Sequence, residues 1–172
     1  MMKKLLVLTL LLCFFNMKAQ DKNVFDIARS GTLDEIQDLN KSNPGLINSV
    51  NENKTTPLIL ACYRGNIEVA KFLIESVKDL NYNSDMGTAL MAATYKNHPE
   101  LVKLLLEKKA NPNATDANGT TALSLAVQFK NSFLVELLLA YKADKTIKDN
   151  KGKTAFEYAV FSQNEQIINL LK

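Results

Sequence analysis

Cysteine and histidine are two residue types in this 172-residue sequence that could supply a nucleophile or a metal site. A thiol nucleophile needs a nearby base, and the single histidine, His98, is far from Cys62 in the sequence. Zinc sites are usually built from several His and Cys ligands, and no second histidine exists. We therefore expect no enzymatic activity, no metal and no cofactor. Cys62 is expected to be a small buried residue.

Acidic and glycine residues recur at a fixed interval, which argues against a catalytic pair. The stretch "DANGTTALSLA" at 116–126 aligns with "DNKGKTAFEYA" at 149–159, and this pairs Asp116 with Asp149. Because these acids follow the period of the chain, we expect them to form turns, not to act as a general acid and base. The glycines follow the same period and do not have the spacing of a phosphate-binding loop.

The same interval runs through most of the chain. The threonines at 56, 88, 121 and 154 are 32, 33 and 33 residues apart. They begin the stretches "TPLILACYRGNIEVAKFLI", "TALMAATYKNHPELVKLLL", "TALSLAVQFKNSFLVELLL" and "TAFEYAVFSQNEQIINLL". A related stretch, "VFDIARSGTLDEIQDL", precedes them. A period in this range indicates stacked repeats, here five over residues 24–172.

Each part of the unit has a structural reason. Threonine is a good helix N-cap, and Pro57 lies at a first helical position, where its missing N–H costs nothing. The first helix is expected to end at Gly65 or Asn97, since both residues tolerate positive φ. A second helix with apolar spacing follows, as in 101–105. Small residues at the centre of the first helix allow close helix packing: Ala61, Ala93, Ala126 and Ala159.

The motifs "TPL", "GNIEVAKFLI", "NHPELVKLLL" and "KANPN" resemble those of the ankyrin repeat. The resemblance implies an all-α solenoid of about five helix-turn-helix repeats with projecting β-hairpin loops. The predicted repeats cover approximately 22–50, 51–82, 83–115, 116–148 and 149–172. The polar first and last units are typical of caps, so the array is expected to be complete.

The chain departs from the family pattern at two positions of the repeat. The motif histidine is replaced in all four units by Ile59, Met91, Ser124 and Glu157. Lys54 and Met86 stand where the loop glycine belongs, and the loop before Thr88 is one residue short. Regular hairpins are therefore expected before Thr121 and Thr154 more than before the other two threonines.

The resemblance implies a partner-binding face formed by the ends of the first helices and by the hairpin tips. One aromatic residue follows the alanine position in each of four successive units, and aromatic and arginine side chains are frequent binding anchors. The predicted contact residues are Tyr63, Arg64, Tyr95, Lys96, Gln128, Phe129 and Phe161. Weaker candidates are the hairpin residues Asp116, Asn118, Thr120, Asn150, Lys151 and Lys153. The alternative is that the aromatic residues only pack between repeats.

The N-terminus has the layout of a secretory signal peptide over residues 1–19. Lys3 and Lys4 precede an apolar run, 5–15, that is too short to span a membrane. Cleavage after Ala19 would remove three lysines and no acid, so Lys+Arg falls from 21 to 18 against 18 Asp+Glu. The remaining chain, 20–172, is then formally neutral, which excludes the basic footprint of a nucleic-acid binder. After cleavage it is also expected to have no stable membrane anchor.

These observations predict a non-enzymatic protein–protein interaction module that acts outside the cytoplasm. The composition favours a bacterial periplasmic location first and secretion second. We expect a monomer whose partner is another protein. The alternative is an inhibitor or immunity protein for an exported toxin or enzyme. An enzyme with an unrecognised site would be indicated by loss of activity on changing Glu157 or His98.

Overall fold

The computed structural model describes residues 23–172, and in this range ten α-helices form five successive pairs. In chain order they are α1 (Val24–Ser30), α2 (Leu33–Ser42), α3 (Pro57–Arg64), α4 (Ile67–Ser76), α5 (Ala89–Tyr95), α6 (Pro99–Glu107), α7 (Ala122–Gln128), α8 (Ser132–Ala140), α9 (Ala155–Phe161) and α10 (Glu165–Leu171). A short 3₁₀ helix, Leu46–Asn48, follows α2. The predicted signal peptide lies outside the described residues. The predicted repeat boundaries stay predictions.

Threonine side chains begin the first helix of four units, as the sequence predicts. Each Oγ1 atom accepts a hydrogen bond from the backbone N–H three residues later, at 3.1–3.3 Å. Pro57 follows Thr56 at the first helical position. The helices then end where the backbone enters the left-handed region, at Gly65 (φ +71°) and at Asn97 (φ +57°). Local sequence therefore determines both ends of these short helices.

The helices form two layers. The first helices of the five units, α1, α3, α5, α7 and α9, pack against one another in order. The second helices, α2, α4, α6, α8 and α10, form the other layer. The alanines at 61, 93, 126 and 159 are buried, so the inner helices approach closely through small side chains. One core of leucine, isoleucine, valine and alanine runs through the stack.

Tight turns join the units in place of extended hairpins. Within residues 23–172 the β pairing consists of two isolated bridges, Ser84–Gly87 and Thr115–Thr121. The turn before Thr56 is as regular as the later ones because Lys54 itself adopts the glycine conformation, with φ +54°. In the shorter loop the left-handed residue is Gly87, next to Met86, and the backbones of Ser84 and Gly87 exchange two hydrogen bonds.

Asparagine side chains join neighbouring units on the loop side of the stack. The Oδ1 atoms of Asn48, Asn81 and Asn113 each accept a backbone N–H from the next unit, at 2.7–2.8 Å. These bonds recur with the period of the chain and link the first four units in turn. None of the helices in residues 23–172 is long and apolar enough to span a membrane.

Candidate functional site

Three of the predicted aromatic residues form one continuous row at the ends of the inner helices. The ring centroids of Tyr63 and Tyr95 lie 6.0 Å apart with nearly parallel planes, and those of Tyr95 and Phe129 lie 5.2 Å apart, edge to face. We call these three residues the aromatic row. The side chains are 36 %, 45 % and 54 % exposed. Packing between repeats and exposure to solvent are thus both features of the row.

Phe161, the fourth predicted aromatic residue, is outside the row. Its side chain is 82 % exposed, and no ring contact joins it to Phe129 in the part of the chain described. Lys153 Nζ lies 5.4 Å from its ring centroid and 5.6 Å from that of Tyr158. Phe161 therefore contacts Lys153 of its own unit and not the row, which spans the second to fourth units.

The polar residues predicted beside the row are exposed. Lys96 Nζ lies 4.4 Å from the Tyr63 ring centroid and 5.6 Å from that of Tyr95, within the range of cation–π attraction. Arg64 and Gln128 are exposed at the ends of α3 and α7. The structure thus brings Lys96 onto the row, with Arg64 next to Tyr63 and Gln128 next to Phe129 in the chain. Contact of these residues with a partner stays a prediction.

A groove of about 250 Å³ lies between the row and the turns of the third and fourth units. Its floor is apolar and comes from Ile59, Met91, Ala92 and Leu125. Tyr63 and Tyr95 form one wall, and the other is formed by Asp85, Met86, Asp116 and Asn118. These ten residues are called the groove below. A concave site with an apolar floor and a few polar groups is the usual form of a binding site.

Hydrogen bonds between neighbouring turns hold in place the polar wall of the groove, which Asp85, Met86, Asp116 and Asn118 form. Asn150 donates from its backbone N–H to the Asn118 carbonyl at 2.9 Å and from Nδ2 to the Ala117 carbonyl at 3.0 Å. Asn83 Nδ2 donates to the Thr115 carbonyl at 2.8 Å. Among the weaker predicted contact residues, Asn150 is therefore a structural link between turns.

The two aspartates that begin the turns of the fourth and fifth units have different surroundings. Asp116 Oδ1 accepts the backbone N–H groups of Asn118 and Thr120, and Asp149 Oδ1 accepts those of Lys151 and Lys153. Asp149 Oδ2 also accepts the Tyr158 hydroxyl, which lowers the pKa of Asp149 and raises the pKa of Tyr158. In residues 23–172, no side-chain donor or ion pair is found for Asp116.

Sequence reasoning missed the groove floor and part of its polar wall. Ile59 and Met91 are two of the residues that replace the motif histidine, so the departure from the family pattern was the available signal. Met86, in the short loop, is 78 % exposed. Leu125 and Asp85 carried no signal, since nothing in the sequence shows that they lie in one groove.

The surroundings of Cys62 and His98, the two residues considered for catalysis, favour structural roles. Cys62 is fully buried, and burial raises the pKa of its thiol to about 12, which disfavours the reactive thiolate. His98 is the N-cap residue of α6 and is half-buried against Gly65. In residues 23–172, no three His, Cys, Asp or Glu side chains come together as metal ligands would.

Comparison with known proteins agrees with this architecture. A family model described as "Ankyrin repeats (3 copies)" matches residues 24–116 and again residues 110–172. The two matches together cover all five helix pairs. No curated protein matches the chain.

Proposed function

Since the chain belongs to the ankyrin-repeat family, a family of protein–protein interaction scaffolds that are generally not enzymes, we propose that it is a non-enzymatic binding module acting outside the cytoplasm. The binding surface is the aromatic row together with the groove. The partner is a folded protein or a segment of one. In this proposal the module acts as a monomer and needs no cofactor.

The exposed aromatic row carries the proposal. Three neighbouring rings from three units remain 36–54 % exposed although each is in contact with another ring. Aromatic side chains are over-represented among the residues that dominate binding energy, and exposed apolar clusters are typical of interaction sites. The rings lie at the ends of packed helices, so little conformational entropy would be lost when a partner binds them.

Action outside the cytoplasm rests on the N-terminal sequence. The basic start, the apolar run 5–15 and the small residue Ala19 are the features of a cleaved signal peptide. We infer export to a bacterial periplasm first and secretion second. An N-terminal sequence of the purified protein that begins near Gln20 would support export. A chain that keeps Met1 and stays in the cytoplasmic fraction would argue against it.

The test of binding is affinity capture with the full chain, tagged at its C-terminus and expressed in the source cell. The variant carries Tyr95→Ala and Phe129→Ala. The matched control is Phe133→Ala, which removes an exposed aromatic side chain of α8 that is outside the row. Circular dichroism must first show that each variant is folded.

The proposal expects a protein that is captured by the wild type and by the Phe133→Ala control but not by the double variant. Equal capture by all three would exclude the row as the binding surface. The alternative function, an inhibitor or immunity protein, would be supported if the captured protein is an exported enzyme or toxin that the purified chain inhibits.

A further inference from the structure

We propose that the groove binds a basic side chain, arginine or lysine, presented by the partner protein. This inference rests on the proposed function and assigns the chemistry of the partner residue that enters the groove. Three features carry it: the apolar floor beside an aromatic wall, the sign of the charges that line the groove, and Asp116 Oδ2, for which the described residues offer no donor.

The floor and the rings suit a long aliphatic stem that ends in a cation. Ile59, Met91 and Leu125 offer apolar contact to methylene groups, as lysine and arginine stems require. Aromatic faces attract cations, and the structure contains an example, because Lys96 Nζ lies 4.4 Å from the Tyr63 ring centroid. A cation of the partner can make the same contact with Tyr63 or Tyr95 from the groove.

The charges that line the groove are negative. Its ten residues include two carboxylates, Asp85 and Asp116, and no lysine or arginine. Asp85 Oδ2 lies 3.2 Å from Lys54 Nζ, but both side chains are largely exposed, at 70 % and 67 %, so this ion pair is weak. Lys96 lies over the rings of Tyr63 and Tyr95 but is not one of the ten residues, so the charges inside the groove favour a positive group over a neutral or negative one of the same size.

The fifth unit contains a side-chain donor for its turn aspartate that the fourth unit does not have. Leu125 and Tyr158 occupy the same position of the repeat, 33 residues apart, as do Asp116 and Asp149. In the fifth unit the Tyr158 hydroxyl donates to Asp149 Oδ2, and Lys153 lies over the Tyr158 ring. In the fourth unit Leu125 has no donor to offer. A donor from the partner would complete the coordination of Asp116.

The test uses nine-residue peptides that differ only at the central residue. That residue is arginine, lysine, citrulline, norleucine or glutamate, and the flanking positions are an equimolar mixture of alanine, glycine, serine and threonine. Citrulline and norleucine keep most of the stem and remove the charge. Binding to the full chain is followed by the shifts of backbone amide signals in ¹H–¹⁵N spectra at increasing peptide concentration.

The protein variant that tests the carboxylates is Asp85→Asn with Asp116→Asn. An asparagine can maintain the turn, because Asn51 Oδ1 already accepts two backbone N–H groups in the second unit, at 3.0 Å each. The matched control is Asp149→Asn, which removes one negative charge from the equivalent turn of the fifth unit, outside the groove. The shift spectra also report whether each variant keeps the fold.

The arginine and lysine peptides are expected to shift the amides around Tyr63, Tyr95 and Asp116. They should bind about fivefold more tightly than the citrulline and norleucine peptides, the size of one weak cation–π contact or ion pair. The preference should disappear in the double variant and persist in Asp149→Asn. The inference is overturned if the neutral peptides bind as tightly as the arginine and lysine peptides, or if the preference survives in the double variant. It is also overturned if no peptide shifts the amide signals of the groove residues. Binding of a natural partner through the row is judged separately by the capture experiment.

Discussion

The fourth and fifth units of the stack share a repeat pattern but differ at the concave face. Both begin with an aspartate turn and a threonine N-cap. The fourth unit leaves its aspartate without a side-chain donor beside an open groove. The fifth unit satisfies its aspartate with Tyr158 and its N-cap with a capping box from Glu157. The fifth unit thus satisfies both oxygens of its aspartate internally, whereas among the described residues the fourth unit satisfies only one oxygen of Asp116.

The difference follows from two substitutions at equivalent positions. Leucine at 125 fills the floor of the groove without reaching the carboxylate, while tyrosine at 158 spans the same position and donates to Asp149. Glu157 stands where Ile59 and Met91 line the groove floor in earlier units. A single repeat position can therefore either line the groove or form an internal hydrogen bond, according to the length and polarity of its side chain.

The largest expected effect is the loss of stability when a buried leucine is shortened in the fourth unit, compared with the fifth. Leu138→Ala in α8 should lower the free energy of unfolding by about 3–5 kcal/mol, and the equivalent Leu171→Ala in α10 by about 2 kcal/mol. Helix α8 packs against helices on both sides, α6 and α10, whereas α10 packs only on the α8 and α9 side among the described residues. Urea denaturation of both variants measures the difference. A larger loss for Leu171→Ala would reverse the comparison.

The second prediction transfers the side chain of the fifth unit into the fourth. Leu125→Tyr should fill the groove and offer its own hydroxyl to Asp116. We expect it to weaken binding of the captured partner at least about thirtyfold, as the loss of a major anchor would. Calorimetric titration measures the affinity. Tyr158→Leu is the matched control and should leave the affinity unchanged. Equal losses in both variants would place the partner outside the groove.

The third prediction compares the turn glycines. Gly119 and Gly152 have φ of +75° and +74°, so alanine at either position costs about 1 kcal/mol of backbone strain. A Cβ at 119 would also lie 2.9 Å from Asn150 Oδ1 and 3.0 Å from its backbone nitrogen, whereas one at 152 meets nothing within 4 Å. Gly119→Ala should therefore cost about 2 kcal/mol, near twice the cost of Gly152→Ala. Thermal denaturation compares them, and equal costs would show that Asn150 moves freely.

The smallest expected effect is a change in titration. Tyr158→Phe removes the hydroxyl that contributes most to the lowered pKa of Asp149, so this pKa should rise towards its ordinary value. A lowered pKa in the folded state stabilises the fold above the unfolded value, near 3.9, and this stabilisation is lost as the pH falls through the folded pKa. The variant should therefore lose less stability on acidification. The pKa of Asp149 in both proteins is measured from its carboxyl ¹³C shift as a function of pH.

Asp144 is the internal control for that titration. Its pKa is lowered by hydrogen bonds from Thr146, independently of Tyr158, and should not move in the variant. If Asp149 also stayed unchanged, the hydroxyl would not be the group that holds its carboxylate in the charged form.

Much of the fold was predictable because it depends on local chemistry. The threonine N-caps, Pro57 and the ends of the first helices at Gly65 and Asn97 follow from backbone preferences within a few residues. The turn before Thr56 was harder to predict. Lysine is a poor residue for positive φ, yet Lys54 adopts it because Asn51 holds the turn through two hydrogen bonds.

The candidate site was predictable only in part. The spacing of Tyr63, Tyr95 and Phe129 predicted an aromatic row, and the three rings are in contact. The same spacing placed Phe161 with them, but the fifth unit holds it next to Lys153. Asp85 and Leu125 are 40 residues apart, and only the stacking of units brings them to one groove.

The sequence by itself therefore determined the repeat, its helices and the residues that cap them, since each depends on hydrogen bonds and backbone angles within one unit. The tertiary structure decided which side chains of different units meet. The distance between units and their rotation set whether the rings touch and whether a groove remains open. Asp116 and Asp149 begin the same turn in the sequence, and the structure shows that Tyr158 reaches Asp149 whereas Asp116 lies beside the groove.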